Sequence, residues 1–334
     1  MSVPRADFSA ATLPSGKVLL IGGQTSASAV TATVDLYDPA TNSVTPAAPM
    51  STPRRGHSAT GLLNGKVLVA GGVSNPSPIG PGSLTSAEIY DPVANTWTAA
   101  ASMAKGRSHH AAILMPNGKV FVAGGGGGEE IYDPNTNTWT GVQPFYGQRS
   151  NGPVAAVLQD GRVFIYGGQD ILQPGNQYEF YDPATGQASY GRTIPDTQDW
   201  STAAVLPDGS VLIVGGQAGY QPGGPLNTTL IFNALPENVS PGPPMNVGHC
   251  HHTMTTLKNS LLLVVGGGGC GGVQPNGVAE LFDPVGRSWS AAGTLATPRG
   301  YHAAAPLFDG RVLVAGGFAS DGSPIASIEV YSPA

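Results

Sequence analysis

Residues 65–72 read GKVLVAGG, and residues 88–97 read EIYDPVANTW. The first stretch is an apolar run that follows an Asn64-Gly65 turn and ends in two glycines. Asn-Gly between apolar runs is a strong signal for a β-hairpin, and a double glycine suits a backbone that takes positive φ or passes close to a neighbour. The second stretch adds a strand, an Asp-Pro turn and the start of another strand. The two stretches together predict a small four-stranded antiparallel sheet.

This unit recurs seven times along the chain. A Gly-Gly pair closes an apolar run in every copy, and successive pairs lie 43 to 53 residues apart. A four-stranded sheet of this size cannot bury both of its faces alone, whereas packing the copies in a ring covers the faces and leaves only short edges. The repeats therefore predict an all-β fold, a seven-bladed β-propeller that forms a single domain over residues 1–334. The first glycines of the pairs, which anchor the blades, are Gly22, Gly71, Gly124, Gly167, Gly215, Gly266 and Gly316.

The repeated landmarks resemble those of the Kelch repeat family. The double glycine of GKVLVAGG, the tyrosine and tryptophan of EIYDPVANTW and the stretch PRRGHSA at residues 53–59 match the family's motif. The resemblance extends over essentially the whole chain and implies four-stranded antiparallel blades around a central channel. The last copy reaches only its third strand, at Tyr331-Ser332-Pro333. We therefore expect a last blade that lacks its fourth strand and offers an open edge for strand pairing.

Composition narrows the class of protein. Charged residues make up 11% of the chain and the formal net charge is −6, without a basic cluster, which argues against nucleic acid as a partner. No apolar run approaches the roughly 18 residues of a membrane span. The opening residues, MSVPRADFSA, contain no apolar core of a signal peptide. The abundance of Gly, Ser, Thr and Pro with little Lys favours a secreted or extracytoplasmic protein.

The start of the first strand in each copy lines one mouth of the predicted channel, together with the loops between strands two and three. The residue 15 positions before each glycine pair varies from blade to blade, which suits ligand recognition better than a scaffold role. Aromatic and arginine side chains favour sugars, carboxylates or peptide side chains as ligands. The predicted ligand-binding residues are Arg54, Arg107, His109, Arg149, Asn151, Trp200, His249, His251, Arg299 and Tyr301.

The arginines, which lie about 17 positions before most glycine pairs, have a second interpretation. A carboxylate precedes the aromatic residue of the third strand in most copies, as Glu88 precedes Tyr90. An arginine that pairs with this carboxylate inside its blade would set the geometry of the blade. A histidine 14 positions before the pair also recurs, and recurrence favours packing or turn bonding over metal binding. These histidines are His57, His110, His252 and His302.

Histidine and cysteine raise the alternative of a metal site. Residues 249–252 read HCHH, but consecutive strand residues point to alternate faces, so the run does not bind one ion as a whole. We expect no cofactor, with zinc or copper as the alternative. Cys250 and Cys270 face each other across a hairpin and form either a disulfide or two free thiols. The candidate metal ligands are His109, His249, His251, Tyr301 and His302.

The pair Tyr301-His302 resembles the adjacent Tyr-His copper ligands of galactose and glyoxal oxidases. Those enzymes are Kelch propellers with a mononuclear copper and a crosslinked Tyr–Cys radical cofactor, and both residue type and distance from the double glycine agree. The resemblance implies copper binding at these two residues. The sequence departs from the oxidase pattern in two ways. No other copy has a tyrosine at the position that Tyr301 occupies, 15 residues before the glycine pair. Cys250 lies one residue away from this position in its own copy.

Two functions remain open. The first is a recognition module whose mouth and loops bind a glycan, a peptide or another protein, as the resemblance to Kelch adaptors implies. The second is an enzyme in the same mouth, with Tyr301 or His109 as acid or base and with Arg299 and Arg149 stabilising an anion, as in lyase or cyclase chemistry. A copper oxidase is the least favoured form of the second. No spacing specifies a catalytic set, so the sequence favours binding.

Overall fold

The computed structural model describes residues 1–75, 82–142, 149–150, 152–168, 177–194, 198–218 and 223–333. These residues form antiparallel sheets, and their one helical segment is the 3-10 turn Cys270–Gly272. No helix in the described part of the chain has the length and apolarity to span a membrane.

Seven sheets follow one another along the chain, and the hydrogen-bonded order within each sheet equals the order in sequence. Blade 1 consists of Ser9–Thr12, Val18–Ile21, Val34–Asp38 and Ser43–Ala47. Blade 2 consists of Ser58–Gly61, Val67–Ala70, Ala87–Asp91 and Thr96–Ala100. Blade 3 consists of Ala111–Leu114, Val120–Ala123, Glu130–Asp133 and Thr138–Gly141. Blade 4 consists of Val154–Val157, Val163–Tyr166, Gln177–Asp182 and Gln187–Thr193. Blade 5 consists of Thr202–Val205, Val211–Val214, Thr229–Ala234 and Glu237–Pro241. Blade 6 consists of Thr253–Thr256, Leu262–Val265, Val278–Asp283 and Ser288–Thr294. Blade 7 consists of Ala303–Pro306, Val312–Ala315 and Ile328–Tyr331.

The sheets close into a ring through their first strands. The first strand of each blade contacts the first strands of both neighbouring blades, and the first strand of blade 7 contacts that of blade 1. Short ribbons, such as Gln24–Ser26 paired with Ala29–Val30, extend two of the loops that follow a glycine pair. The predicted seven-bladed propeller is confirmed, including the four-stranded blades and a last blade with three strands.

The hydrophobic core lies between neighbouring blades. The second strand of every blade is buried along its whole length, because both of its faces meet another sheet. Between blades 4 and 5, for example, the rings of Phe164 and Phe232 stack with centroids 4.5 Å apart. Between blades 7 and 1, Leu20 packs with Leu313. The repeating apolar runs therefore form the contacts that hold the ring together.

The tyrosine and tryptophan of the repeat belong to the scaffold. In blade 2 the Tyr90 hydroxyl donates to Oδ1 of Asn95 at 2.9 Å, and this asparagine has a positive φ of 51° in the turn before the fourth strand. The indole of Trp97 packs on Tyr90 and donates to the carbonyl oxygen of Ala48 at 2.7 Å. These bonds fix the fourth strand to the chain that enters the same blade.

Blade 7 shows what a missing fourth strand changes. Its carboxylate, Glu329, is 23% exposed, whereas the equivalent Glu88 of blade 2 is 4% exposed. The N-terminal segment joins this blade to blade 1, because the Met1 ammonium donates to Ala326 O at 2.9 Å and the Arg5 amide donates to Ile325 O at 3.2 Å. The ring is thus closed without a fourth strand in the last blade.

Candidate functional site

Seven residues at one level of the channel share an unusual backbone conformation. Each lies 15 positions before a glycine pair, and all seven have φ between 48° and 60°, the left-handed region that non-glycine residues seldom adopt. Backbone hydrogen bonds link neighbours around the axis, as when the His109 amide donates to Gly56 O at 2.7 Å and the Gly56 amide donates to Asp7 O at 3.0 Å. We call this set the channel ring. It comprises Asp7, Gly56, His109, Gly152, Trp200, His251 and Tyr301.

The side chains of the channel ring form a continuous chain of contacts. The imidazole of His109 meets the ring of Trp200 edge-on with centroids 5.0 Å apart, and Trp200 lies 4.5 Å from His251. His251 stacks on Tyr301 with centroids 3.7 Å apart and an interplanar angle of 19°. Tyr301 in turn meets Phe318 edge-on at 5.8 Å. These contacts fix the orientation of every ring before any ligand arrives.

The two glycines of the channel ring make room for these side chains. A Cβ added to Gly56 would lie 2.7 Å from Nε2 of His109, and one added to Gly152 would lie 2.6 Å from Cε3 of Trp200. Both distances are far below van der Waals contact. The side chains of His109 and Trp200 therefore occupy the space of the missing side chain in the preceding blade.

A charged cluster occupies one side of the channel ring. The Asp7 carboxylate accepts from Arg55 Nη1 at 2.9 Å and lies 3.0 Å from His109 Nε2. Burial disfavours the His109 cation, but the charge and hydrogen bond of Asp7 outweigh burial and raise the pKa of His109. Burial likewise opposes ionisation of Asp7, yet His109 and Arg55 hold the pKa of this carboxyl below its usual range. Each of the two groups therefore favours the charged form of the other.

The aromatic side of the channel ring is uncharged. Burial lowers the pKa of His251 to about 3, so its imidazole is neutral at physiological pH. Burial also raises the pKa of the Tyr301 phenol above its ordinary value, so the phenol stays protonated. The two sides of the mouth therefore offer different chemistry, an ion cluster on one side and neutral aromatic rings on the other.

A cavity of about 420 Å³ opens beside Tyr301. Apart from Gly300 and Tyr301, its walls come from the loops that follow the glycine pairs of blades 1, 6 and 7, and these loops supply Phe318 as the second aromatic ring. Gln24, Gln274 and Ser320 supply polar groups, and the other lining residues are glycine, alanine, valine and proline. No described residue of the lining carries a charge.

A larger cavity of about 570 Å³ lies among turns of blades 1 and 2, bordered by Lys17, Lys66 and Asp91. These turns are at the opposite end of the blades from the channel ring. The cavity contains none of the aromatic residues that converge on the axis, and its lysines form ion pairs with the turns themselves, as Lys66 does with Asp91 at 3.0 Å. We therefore place the candidate site at the mouth beside Tyr301.

A disulfide between Cys250 and Cys270 holds one wall of the cavity. It joins the chain just before the first strand of blade 6 to the loop after the second strand of that blade, with Cα atoms 6.4 Å apart. That loop supplies the lining residues 268, 269 and 272–275. Of the two alternatives for the cysteines, the structure has the disulfide, and the shape of the cavity depends on it.

The structure brings four of the predicted site residues together, since His109, Trp200, His251 and Tyr301 are all members of the channel ring. Asn151 lies outside the described residues. The prediction missed Asp7 and Arg55 in the ion cluster and Phe318 in the cavity wall. Asp7 occupies the same position of the repeat as Tyr301, and this shared position could have placed it in the site. Phe318 belongs to a loop that no repeat specifies.

The remaining predicted residues lie inside the blades and bond to groups of their own blade. Arg54 is fully buried, and its guanidinium donates to Gly71 O at 2.7 Å and to Glu88 Oε1 at 2.8 Å. In blade 6, His249 takes the same place, with Nδ1 2.6 Å from Gly266 O and Nε2 3.3 Å from the third-strand carboxylate. The Arg54 guanidinium is thus held inside its blade, as the second interpretation of the arginines expects. The equivalent ion pairs are Arg5–Asp35, Arg107–Glu130, Arg149–Glu179 and Arg299–Glu329.

The donor set does not fit the copper-radical centre that the oxidase resemblance implies. His302 is buried, and its Nε2 is bonded to Thr253 Oγ1 at 2.9 Å, so this metal candidate serves to join blades 6 and 7. Cys250 is bonded to Cys270 and has no thiol for a Tyr–Cys crosslink. Tyr301 is the single tyrosine among the seven positions of the channel ring, all of which are described. We assign no copper chemistry to these residues.

Comparison with known proteins agrees with the repeat pattern. The Kelch motif matches residues 4–51, 54–104 and 299–334. No curated protein matches the chain significantly. Among solved structures, the chain is similar to a fungal alcohol oxidase of the AA5 family in complex with copper, at 19% identity and a TM-score of 0.78, with 99% of this chain and 75% of the other covered. Similarity at this identity concerns the fold. The Kelch motif is therefore found in three stretches of the chain, and the fold is a seven-bladed β-propeller.

Proposed function

We propose that the protein is a recognition module that binds a neutral glycan in the cavity beside Tyr301. One observation carries the proposal, namely a cavity of about 420 Å³ whose described lining combines two aromatic rings with amide and hydroxyl groups and carries no charge. A ligand with a formal charge would lose its hydration there without a partner, which is costly. A sugar ring presents one apolar face and several hydroxyl groups, which suits this lining.

The aromatic rings are arranged before binding. Tyr301 is stacked on His251 and meets Phe318 edge-on, so little side-chain entropy remains to be lost when a ligand packs against them. The polar groups can serve hydroxyl groups. The Gln24 side-chain amide donates to Ser26 O at 2.9 Å, which orients its carbonyl oxygen as an acceptor. The side-chain amide of Gln274 and the hydroxyl group of Ser320 can both donate and accept hydrogen bonds.

The structure lends less support to a lyase or cyclase in the same mouth. The two arginines proposed to stabilise an anion, Arg299 and Arg149, are held in ion pairs with Glu329 at 2.5 Å and with Glu179 at 2.8 Å. The phenol of Tyr301 has a raised pKa and stays protonated, so it is a poor base. The two arginines assigned to the anion-stabilising half of the chemistry are therefore already paired inside their blades.

Glycan-array screening followed by calorimetric titration of the best ligand tests the proposal. Phe318→Ala and Tyr301→Ala each remove an aromatic ring on which the sugar would pack. Each should therefore weaken binding by about tenfold or more, which corresponds to a loss of about 1.4 kcal/mol in binding free energy. Phe308→Ala is the matched control, since this phenylalanine is 60% exposed in a turn of the same blade at the opposite end. Equal loss in all three variants, or no loss in the first two, would contradict a site beside Tyr301.

A further inference from the structure

We propose that reduction of the Cys250–Cys270 disulfide converts this corner of the mouth into a binding site for zinc or another thiophilic ion. The ligands are the two thiolates and the imidazole of His251. The inference is independent of glycan binding, because it concerns the reduced protein and requires none of the cavity residues Gln24, Phe318 or Ser320.

The donor atoms are already gathered. The two Sγ atoms and a ring nitrogen of His251 lie within 4.8 Å of one another, and no other group of three such donors occurs among the residues that the structure describes. Zinc is bound at about 2.3 Å by sulfur and about 2.0–2.1 Å by nitrogen in a tetrahedron, which places two ligands roughly 3.5 Å apart. Opening the disulfide allows the sulfur atoms to separate to that distance without bringing in a residue from elsewhere.

The backbone explains why neighbours in sequence reach the same point. Consecutive residues of a regular strand point to opposite faces, but His251 has a φ of 48°, and this left-handed turn brings its ring to the same side as Cys250. The other histidines of the run are occupied. His249 is bonded to Gly266 O and Glu280, and His252 Nε2 lies 2.8 Å from the Thr202 hydroxyl. His251 is thus the histidine of this run that faces the cysteines.

The loop that carries Cys270 can adjust to an ion. The described residues 266–269, 271 and 272 are all glycines with positive φ, and glycine moves between backbone conformations at low cost. Cys250 and Cys270 are buried while His251 is half-buried, so the protein covers the sulfur side of the site. A water molecule or a ligand hydroxyl can complete the tetrahedron from the channel.

The chemistry balances with one dithiol reductant. Thiol–disulfide exchange breaks the Cys250–Cys270 bond, adds two electrons and two protons to give two thiols, and oxidises the reductant to its own disulfide. Binding of the ion then displaces the two thiol protons to solvent, as metal–thiolate formation does. The ion holds the loop to the chain just before the first strand of blade 6, as the disulfide did, so the cavity wall persists in the reduced protein.

Cobalt(II) is the probe that distinguishes this site, since tetrahedral cobalt–thiolate absorbs in the visible and near ultraviolet. Protein treated with dithiothreitol and desalted without oxygen should bind about one equivalent of cobalt with thiolate charge-transfer bands, and zinc should displace the cobalt. Untreated protein should show no such bands. This comparison uses the unaltered chain, so it does not depend on the folding of any cysteine variant.

A histidine variant tests the third ligand. His251→Asn should keep the thiolate bands but weaken cobalt binding by about tenfold or more, because one of the three protein ligands is removed; tenfold corresponds to about 1.4 kcal/mol. His109→Asn is the matched control, because this histidine belongs to the same channel ring and contacts Trp200 rather than a cysteine. Absence of thiolate bands in the reduced protein would overturn the proposal. So would equal cobalt binding by untreated protein, or cobalt binding in His251→Asn that is as tight as in the unaltered chain.

Discussion

The Asp7 carboxylate lies 3.0 Å from Nε2 of His109, although 102 positions separate the two residues in the chain. Blade 2 lies between their strands, and it contributes Gly56 to the channel ring between them. The contact exists because Gly56 has no side chain, since a Cβ there would lie 2.7 Å from that nitrogen. The channel ring is therefore one packed unit, in which an empty position in one blade permits an ion pair between its two neighbours.

Replacing this glycine should disrupt the unit. Gly56→Ala forces a Cβ against the His109 ring and places alanine at a φ of 60°, so we expect the free energy of unfolding to fall by about 1–3 kcal/mol. Gly61→Ala is the matched control, because it has no positive φ and a Cβ there would meet nothing within 4 Å. Denaturant unfolding of both variants gives the comparison, and equal stability of the two would contradict the packing described for Gly56.

The ion pair should appear in the titration of His109. We expect an NMR titration to give His109 a pKa above the 6.5 of a free imidazole, and Asp7→Asn to return it to that value or below. The pair stabilises the fold fully below the unfolded pKa of His109, and this contribution is lost as pH rises through the raised pKa. It is also lost at low pH, as Asp7 is protonated at its lowered pKa. A His109 pKa that does not respond to Asp7→Asn would rule out the pair in solution.

Buried neutral histidines should make the fold sensitive to acid. Burial lowers the pKa of His57, His251 and His302 to about 3, whereas an unfolded imidazole takes up a proton near pH 6.5. Stability is therefore complete above that pH and declines as pH falls toward 3, by about 2 kcal/mol per histidine at pH 5. Melting temperatures between pH 7 and pH 4 measure the decline, and His302→Gln should make it shallower. A flat profile over this range would be inconsistent with neutral buried imidazoles.

The ion pairs inside the blades should matter far more than those on the surface. Glu88→Ala leaves the Arg54 guanidinium buried without its carboxylate, and we expect a loss of about 3–5 kcal/mol in unfolding free energy. Lys66→Ala removes a partner from an ion pair whose side chains are 41% and 28% exposed, and we expect a loss below about 1 kcal/mol. Urea titration of the two variants makes the comparison. Similar losses would mean that the buried pair does not set the geometry of the blade.

The fold could be predicted because the repeat landmarks perform tasks that few other residues can. At Gly71, for example, φ is 66° and a Cβ would lie 2.5 Å from the carbonyl oxygen of Arg107 in the next blade, so glycine is required wherever a blade meets its neighbour. Regular spacing of such positions indicates the number of blades directly. The Arg54–Glu88 pairing was one of two interpretations of the same recurrence, and burial decides between them.

The site could be predicted only in part. The repeat register places Trp200 and Tyr301 at one level of the channel, but it does not show that this level has left-handed backbone, because non-glycine residues rarely adopt it. The role of Gly152 as the space for Trp200 is visible only when the blades are assembled. Phe318 and Gln24 belong to loops whose lengths vary between copies, so no spacing rule assigned them to the cavity.

A crystal structure with a bound glycan tests the central claim most directly. The account predicts that a sugar ring packs against Tyr301, with Phe318 and Gln24 in contact with it. A glycan bound instead at the opposite mouth, where Phe308 borders a cavity of about 280 Å³, or on the outer faces of the blades, would contradict the assignment of the mouth as the recognition site.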